Sequence, residues 1–124
     1  PRGVFAAWCY ADCRVAAAID ALKDRLYVDL TGPYWPPERA HVDRGYRTLP
    51  FPFEEIATPP FAMDAWWTVD QFLAYLRSWS ATQRYLGDTG DDPVAQVEAG
   101  LRAAWGEAGP RRVRWDFHLR CGRV

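Results

Sequence analysis

The stretch Tyr34–Phe53 carries four prolines and one glycine. Proline removes a backbone donor and fixes φ, so these residues predict neither a regular helix nor a strand. Five aromatics, three arginines, two acids and His41 share the same stretch. A long loop with that much apolar surface must pack on something, and long ordered loops in compact domains commonly carry function.

The chain has 124 residues, enough for one domain. By surface scaling, a compact monomer of this size buries roughly two thirds of its unfolded surface. Hydrophobic residues at 49% and charged residues at 25% argue against wholesale disorder. The net charge of -1 gives no global field toward nucleic acid or an anionic membrane. The longest apolar run, Val15–Leu22, is interrupted by Asp20 and is too short to span a bilayer. No signal peptide is evident, and a first residue of Pro rather than Met fits a processed or cut chain. Cys9, Cys13 and Cys121 form no CxxC, and His41 and His118 fall in different elements, so no metal site is expected. The cysteines read as small buried hydrophobes in a reducing cytoplasm.

Gly3–Tyr10 is a continuous apolar run without alternation, the pattern of a strand buried on both faces of a parallel sheet. Asp12 predicts an N-cap for a helix over Cys13–Leu30, with Val15, Ile19, Leu22, Leu26 and Leu30 on its apolar face. Lys23, Asp24 and Arg25 fall on the other face, and Gly32-Pro33 ends the helix. Phe61–Trp67 reads as a strand. Thr68-Val69-Asp70-Gln71 is a capping box opening a helix with Val69, Phe72, Leu73, Leu76, Trp79 and Leu86 on one side. Gly87–Asp92 reads as a turn. Asp92-Pro93 starts a further helix with the stripe Val94, Val97, Leu101, Ala104 and Trp105, ended by Gly106. Finally Val113, Trp115, Phe117, Leu119 and Cys121 alternate with Arg112, Arg114, Asp116, His118 and Arg120, a strand with one apolar face. The order is strand, helix, long loop, strand, helix, helix, strand, with the last two strands expected antiparallel. That is half of an α/β sheet.

This order resembles the C-terminal half of a class I S-adenosylmethionine-dependent methyltransferase, a Rossmann-like fold, and most closely the small-molecule enzymes of the trans-aconitate methyltransferase kind. Their fifth strand follows a Pro-Gly-Gly turn and reads like Gly-Val-Leu-Ala-Val-Trp-Gly-Tyr. Here Pro1-Arg2-Gly3 stands for the turn and Val4–Tyr10 for the strand. Tyr34-Trp35-Pro36-Pro37-Glu38-Arg39, Gly45-Tyr46 and Leu49–Phe53 resemble the family's insertion before the sixth strand. Trp67-Thr68-Val69-Asp70 with Tyr75-Leu76-Arg77-Ser78-Trp79-Ser80 resembles its Trp-Ser…Tyr-Leu-x-Ser/Thr-Trp-Ser segment, and Val113–Val124 its seventh strand. The family's Gly-rich cofactor loop and the acidic residue that holds the ribose are absent. The resemblance therefore implies that residues 1–124 are the C-terminal part of a methyltransferase domain of about 250 residues. S-adenosylmethionine would be held mainly by the N-terminal half, and this part would be inactive alone, with no cofactor-binding residue of its own.

Methyl transfer from a sulfonium needs in-line approach and exclusion of water, and little acid–base machinery when the acceptor is a carboxylate. The resemblance places the acceptor site at the end of the first strand. Trp8, Tyr10, Tyr34, Trp35, Arg77 and Trp79 are the candidate substrate-binding residues, with Arg77 able to grip a carboxylate in bidentate fashion. Each also has a plain reading: Trp8 and Trp79 as core, Tyr34 and Trp35 as loop pins, Arg77 as a solvated cation. His41 and His118 read as surface residues, and no catalytic residue can be named. Two other classes remain open. One is a self-contained small-ligand-binding or interaction module. The other is a single-strand nucleic-acid module using Arg111, Arg112, Arg114, Arg120 and Arg123 with the tryptophans, against which the balanced charge argues. Finally, Val4–Tyr10 without its natural neighbour would leave a bare edge, which predicts a homodimer through that strand or by exchange of elements.

Overall fold

The longest strand, β4, organises the sheet. In a computed structural model describing Arg2–Val124, the strands are β1 (Val4–Tyr10), β2 (Glu54–Ile56), β3 (Ala62–Trp67) and β4 (Arg111–Arg123). Pro1 of the expected Pro1-Arg2-Gly3 turn lies outside the described residues. β1 runs antiparallel to β4, from Val4 opposite Arg123 to Tyr10 opposite Phe117. β2, which the sequence reading missed, is antiparallel to the far end of β4, with Glu54 opposite Arg123. β3 also pairs with β4. Adjacent residues of a strand direct their backbone groups to opposite edges. The Asp116 carbonyl accepts from the Ala11 N–H at 2.8 Å, whereas the Phe117 N–H donates to the Phe61 carbonyl at 2.9 Å. β1 and β3 therefore flank β4 on opposite sides.

The chain divides into two units. The first holds the described residues to Cys13, Pro37–Asp64 and Arg114–Val124. Within it the strand paired with β1 is not the parallel neighbour that the apolar run suggested. Among the described residues β4 is the partner of β1, and it is antiparallel. Val4 is 65% exposed, Trp8 61% and Tyr10 47%. The apolar composition is real, but no described strand lies on the outer edge of β1. The long loop is also more regular than its prolines suggest. It contains a short helix, α2 (Arg39–Asp43), and a turn at Gly45-Tyr46 with φ of 60° and 62°. This loop packs on the face of β4 expected to meet solvent. A Cβ at Gly45 would lie 2.7 Å from His118, and one at Gly122 would lie 2.5 Å from Phe53. His118 and Arg120 are accordingly half-buried. The alternation holds from Arg112 to Asp116 and fades where the loop begins to cover the strand.

The second unit, Arg14–Pro36 with Ala65–Val113, is mainly helical. α1 (Ala17–Asp24) continues as a widened turn, Arg25–Leu30, instead of forming one helix from Cys13. Asp12 does not cap it; its carboxylate accepts from the Cys13 N–H, and the Asp20 carboxylate reaches back to the Val15 N–H at 2.9 Å. Lys23, expected on the solvent face, is fully buried and lies 3.2 Å from the Asp24 carboxylate. Ile19 and Leu26 are buried as their spacing predicts. α3 (Val69–Ser78) opens on the expected capping box: Thr68 Oγ1 accepts from the Gln71 N–H, and Gln71 Oε1 accepts from the Thr68 N–H at 2.9 Å.

The single helix expected after Thr68 is in fact two, because the backbone turns extended at Trp79 before α4 (Ser80–Thr89). A helix end leaves carbonyls without partners. Here the Ser78 hydroxyl donates to the Tyr75 carbonyl, the Thr82 hydroxyl to that of Leu76 and the Gln83 amide to that of Arg77. The expected turn at Gly87 comes later: Gly87 is helical, and Gly90, at φ 78°, ends α4. α5 (Ala95–Trp105) follows the Asp92 carboxylate, which accepts from the Val94 N–H at 3.0 Å. α1 packs on α5, where Gly100 lets Leu22 approach. Phe72, Leu73, Leu76, Val97, Leu101 and Trp105 form the core of this unit.

Candidate acceptor site

In the first unit, the carboxyl end of β1 and the helix α2 border an open pocket of about 280 Å³. Trp8, Cys9 and Tyr10 line it from the strand, Arg39 and Val42 from α2, and Tyr46 from the turn that follows. The volume is close to the lower limit for small-molecule sites. Each wall has a local cause. Pro36-Pro37 breaks the chain before α2, and Arg39 is held by an i,i+4 pair with Asp43 at 3.4 Å. Tyr46 is the only non-glycine at positive φ among the described residues. Such strain persists only where its surroundings impose it, and it clusters at functional sites. Its N–H donates to the His41 carbonyl at 2.8 Å, and its carbonyl accepts from Arg120 Nη1 at 3.0 Å.

The electrostatics of the cavity are simple. Arg39 is the one cation in its wall. Burial pushes the Cys9 thiol above its ordinary range, with the Arg39 charge pulling the other way. The thiol therefore stays protonated at neutral pH and is a poor nucleophile. Cys9 Sγ lies 3.9 Å from the Val42 carbonyl, a weak contact joining β1 to α2. His41 Nδ1 faces the Thr48 hydroxyl at 3.2 Å. Three aromatic rings and a guanidinium suit a small anionic molecule, held by charge against an apolar wall. Among the described residues no group of three or more His, Cys, Asp or Glu is placed to hold a metal ion.

A second cavity of about 280 Å³ lies between the Arg47 side and the β2–β4 pair, lined by Glu55, Thr58, Leu119, Arg120 and Cys121 among others. Its buried cation is committed. Arg120 pairs with Glu55, donates to the Tyr46 and Leu49 carbonyls at 3.0 Å and lies 4.3 Å over the Phe51 ring. This arginine fastens the loop to the sheet.

Of the six residues singled out from sequence, Trp8 and Tyr10 line the first cavity. The other four belong to the second unit. Trp79, 8% exposed, forms an aromatic cluster with Trp35, Tyr27 and Tyr75, and Trp35 Nε1 donates to the Tyr27 carbonyl at 3.2 Å. The Tyr34 hydroxyl donates to Asp88 at 2.5 Å, and its ring meets Tyr85 edge-on. Arg77 is bound by two carboxylates, Asp92 at 2.8 Å and Glu98 at 2.6 Å, which raise its pKa further. Arg39, Val42 and Tyr46 were missed as site residues. Arg39 and Tyr46 stand in the quoted insertion, but nothing in their spacing says which side chains of a loop turn inward. The basic face of β4 is partly spent internally: Arg111 donates twice to the Trp105 carbonyl, and Arg114 pairs with Asp64 and Asp116. No helix among the described residues is long and apolar enough to cross a membrane.

No family model and no curated protein match the chain. Among solved structures it is similar to the "putative type II methyltransferase" of Anaeromyxobacter dehalogenans, with 50% sequence identity and a TM-score of 0.91. The match covers 97% of this chain and 52% of that protein, so the chain spans about half of its relative's length. The chain thus has the α/β fold of a methyltransferase sheet, as its element order implied.

Proposed function

We propose that this chain is the C-terminal part of an S-adenosylmethionine-dependent methyltransferase acting on a small, carboxylate-bearing acceptor, of the trans-aconitate methyltransferase kind. The observation that carries the reading is the close match, in sequence and backbone together, to half of a protein described as a methyltransferase. The thiols of Cys9 and Cys121 form no disulfide, which fits a cytoplasmic setting.

The described residues do not fit the cofactor itself. A dinucleotide-like ligand in an α/β sheet rests on a Gly-rich turn between a strand and a helix. The two strand-to-helix turns here, after β1 and after β3, contain no glycine. In this proposal the cradle lies elsewhere in the parent protein, and these residues serve the acceptor. Arg39 pairs with the carboxylate, Trp8, Tyr10 and Tyr46 pack against the apolar part of the acceptor, and Cys9 stays a neutral filler. The Tyr27–Trp35–Trp79 cluster and the Arg77 pairs hold the second unit together.

A second reading, a ligand-binding module complete in itself, is favoured by the cavity being built wholly within one unit. One experiment separates the two. This chain is spliced in place of the matched half of the Anaeromyxobacter protein, and both the chimera and the chain alone are titrated with S-adenosylmethionine and with a panel of small carboxylic acids. The methyltransferase reading expects cofactor binding and methyl transfer only in the chimera. Tight carboxylate binding by the chain alone, with a chimera that binds no cofactor, supports the second reading.

A further inference from the structure

Tyr46 stands where the fold elsewhere uses glycine. The other described residues at positive φ are Gly45, Gly90, Gly106 and Gly109. Glycine adopts that backbone freely, whereas a bulky residue there is strained. The turn is fixed through its peptide groups. The Tyr46 N–H donates to the His41 carbonyl at 2.8 Å, and its carbonyl accepts from the Leu49 N–H at 3.2 Å and from Arg120 Nη1 at 3.0 Å. These bonds would hold a glycine equally well. Among the described residues the Tyr46 ring stacks on no other ring, and its hydroxyl has no hydrogen-bond partner. Half-buried, Tyr46 instead lines the open pocket at the carboxyl end of β1, beside Trp8, Tyr10 and Arg39. Ligands of α/β sheets bind at that end of the strands.

We infer that Tyr46 is the specificity-determining residue of this pocket: its ring receives the apolar body of the carboxylate that Arg39 pairs with, and Arg120 is the positioning residue that aims it. The inference rests on the proposed acceptor site. Strain retained at a ligand site trades stability for function. The carboxylate is common to every candidate acid, so Arg39 cannot tell them apart. The ring touches the part that differs, and it can. Arg120 acts through Tyr46. Its guanidinium is bound to Glu55 and spans the Tyr46 and Leu49 carbonyls, which fixes the peptide plane from which the ring projects.

The test uses the spliced Anaeromyxobacter protein with hexanoate, benzoate and phenylacetate as probes, acids that share the carboxylate and differ in body. Calorimetry reads binding, and kinetics read methyl transfer. Tyr46→Gly removes ring and strain together. Its melting temperature should be no lower than that of the unsubstituted hybrid, while affinity for the best-bound acid falls about tenfold and the probes become nearly equal. Tyr46→Phe keeps the ring and restores the affinity. Arg120→Lys keeps the charge without the planar fork. It weakens acid binding about threefold, as a higher KM at unchanged kcat, and this effect vanishes in the Tyr46→Gly background. Unchanged affinity in Tyr46→Gly, a Tyr46→Phe protein as weak as the glycine variant, or an Arg120→Lys effect that persists without the ring each overturns the inference. So does a glycine variant that melts lower yet binds every acid as before, the result if the ring packs on the remainder of the parent protein, and so does a hybrid that binds none of the probes. A hybrid that binds an acid with these preferences but does not methylate it supports the role of Tyr46 and refutes the proposed enzyme.

Discussion

Replacing Arg120 with alanine should release the long loop from the sheet. The guanidinium donates at 3.0 Å to the carbonyls of Tyr46 and Leu49, pairs with Glu55 and lies 4.3 Å over the Phe51 ring. Its side chain is only 13% exposed. Hydrogen bonds from a charged group contribute about 1.5–3 kcal/mol when buried, and about 1 kcal/mol each is reasonable here because water can reach the freed Leu49 carbonyl. The stacked ring adds about 0.5–1 kcal/mol and the half-exposed Glu55 pair about 0.5 kcal/mol. The total is about 3 kcal/mol, or a fall in Tm of about 10 °C for a chain of this length. Urea unfolding gives the free energy, and limited trypsin digestion reports the loop directly, since Arg44 and Arg47 are exposed on it. Digestion at those arginines should accelerate with the loss of stability, and Glu55→Gln should cost less than about 1 kcal/mol. A loss below about 1 kcal/mol for Arg120→Ala, with unchanged digestion, would refute the idea that this residue anchors the loop.

Two further outcomes follow from the same structure. Gly45→Ala forces a side chain into positive φ and to within 2.7 Å of His118, so it should destabilise by about 2 kcal/mol or more in the same urea assay. The Glu98 carboxyl is held below its ordinary range, first by Arg77 and then by Arg102. A lowered folded pKa contributes stability that is present above the unfolded value of about 4.3 and disappears as pH falls through the folded value. Glu98→Gln should therefore flatten the acid limb of the stability–pH curve and leave the limb above neutral unchanged.

The parts of the fold legible in sequence were those decided by neighbours in the chain. Thr68 and Gln71 are three residues apart, and their reciprocal bonds form as their types dictate. Asp92-Pro93 and Gly106 bound α5 for the same local reason. What stayed hidden was decided at long range. Trp79 ends α3 without glycine or proline, because its indole joins Tyr27, Trp35 and Tyr75 while side chains take the freed carbonyls. Lys23 lies on the helical face that periodicity assigns to water, yet it is buried. Period-2 alternation marked one face of β4 as wet, but a loop rich in aromatics covers His118, Arg120 and Gly122. The apolar run of β1 was recognisable as strand; its burial was not, since that depends on what lies beyond its outer edge. The same division holds for the site: strand residues Trp8 and Tyr10 could be placed by position, whereas the inward aim of Arg39 and Tyr46 depends on a turn pinned from β4.

Calorimetric titration of S-adenosylmethionine into the spliced Anaeromyxobacter protein, set against the 124 residues alone, bears most directly on the assignment. The account predicts saturable heat from the hybrid and none from the shorter chain. A hybrid that folds with native ellipticity yet takes up no cofactor would contradict it.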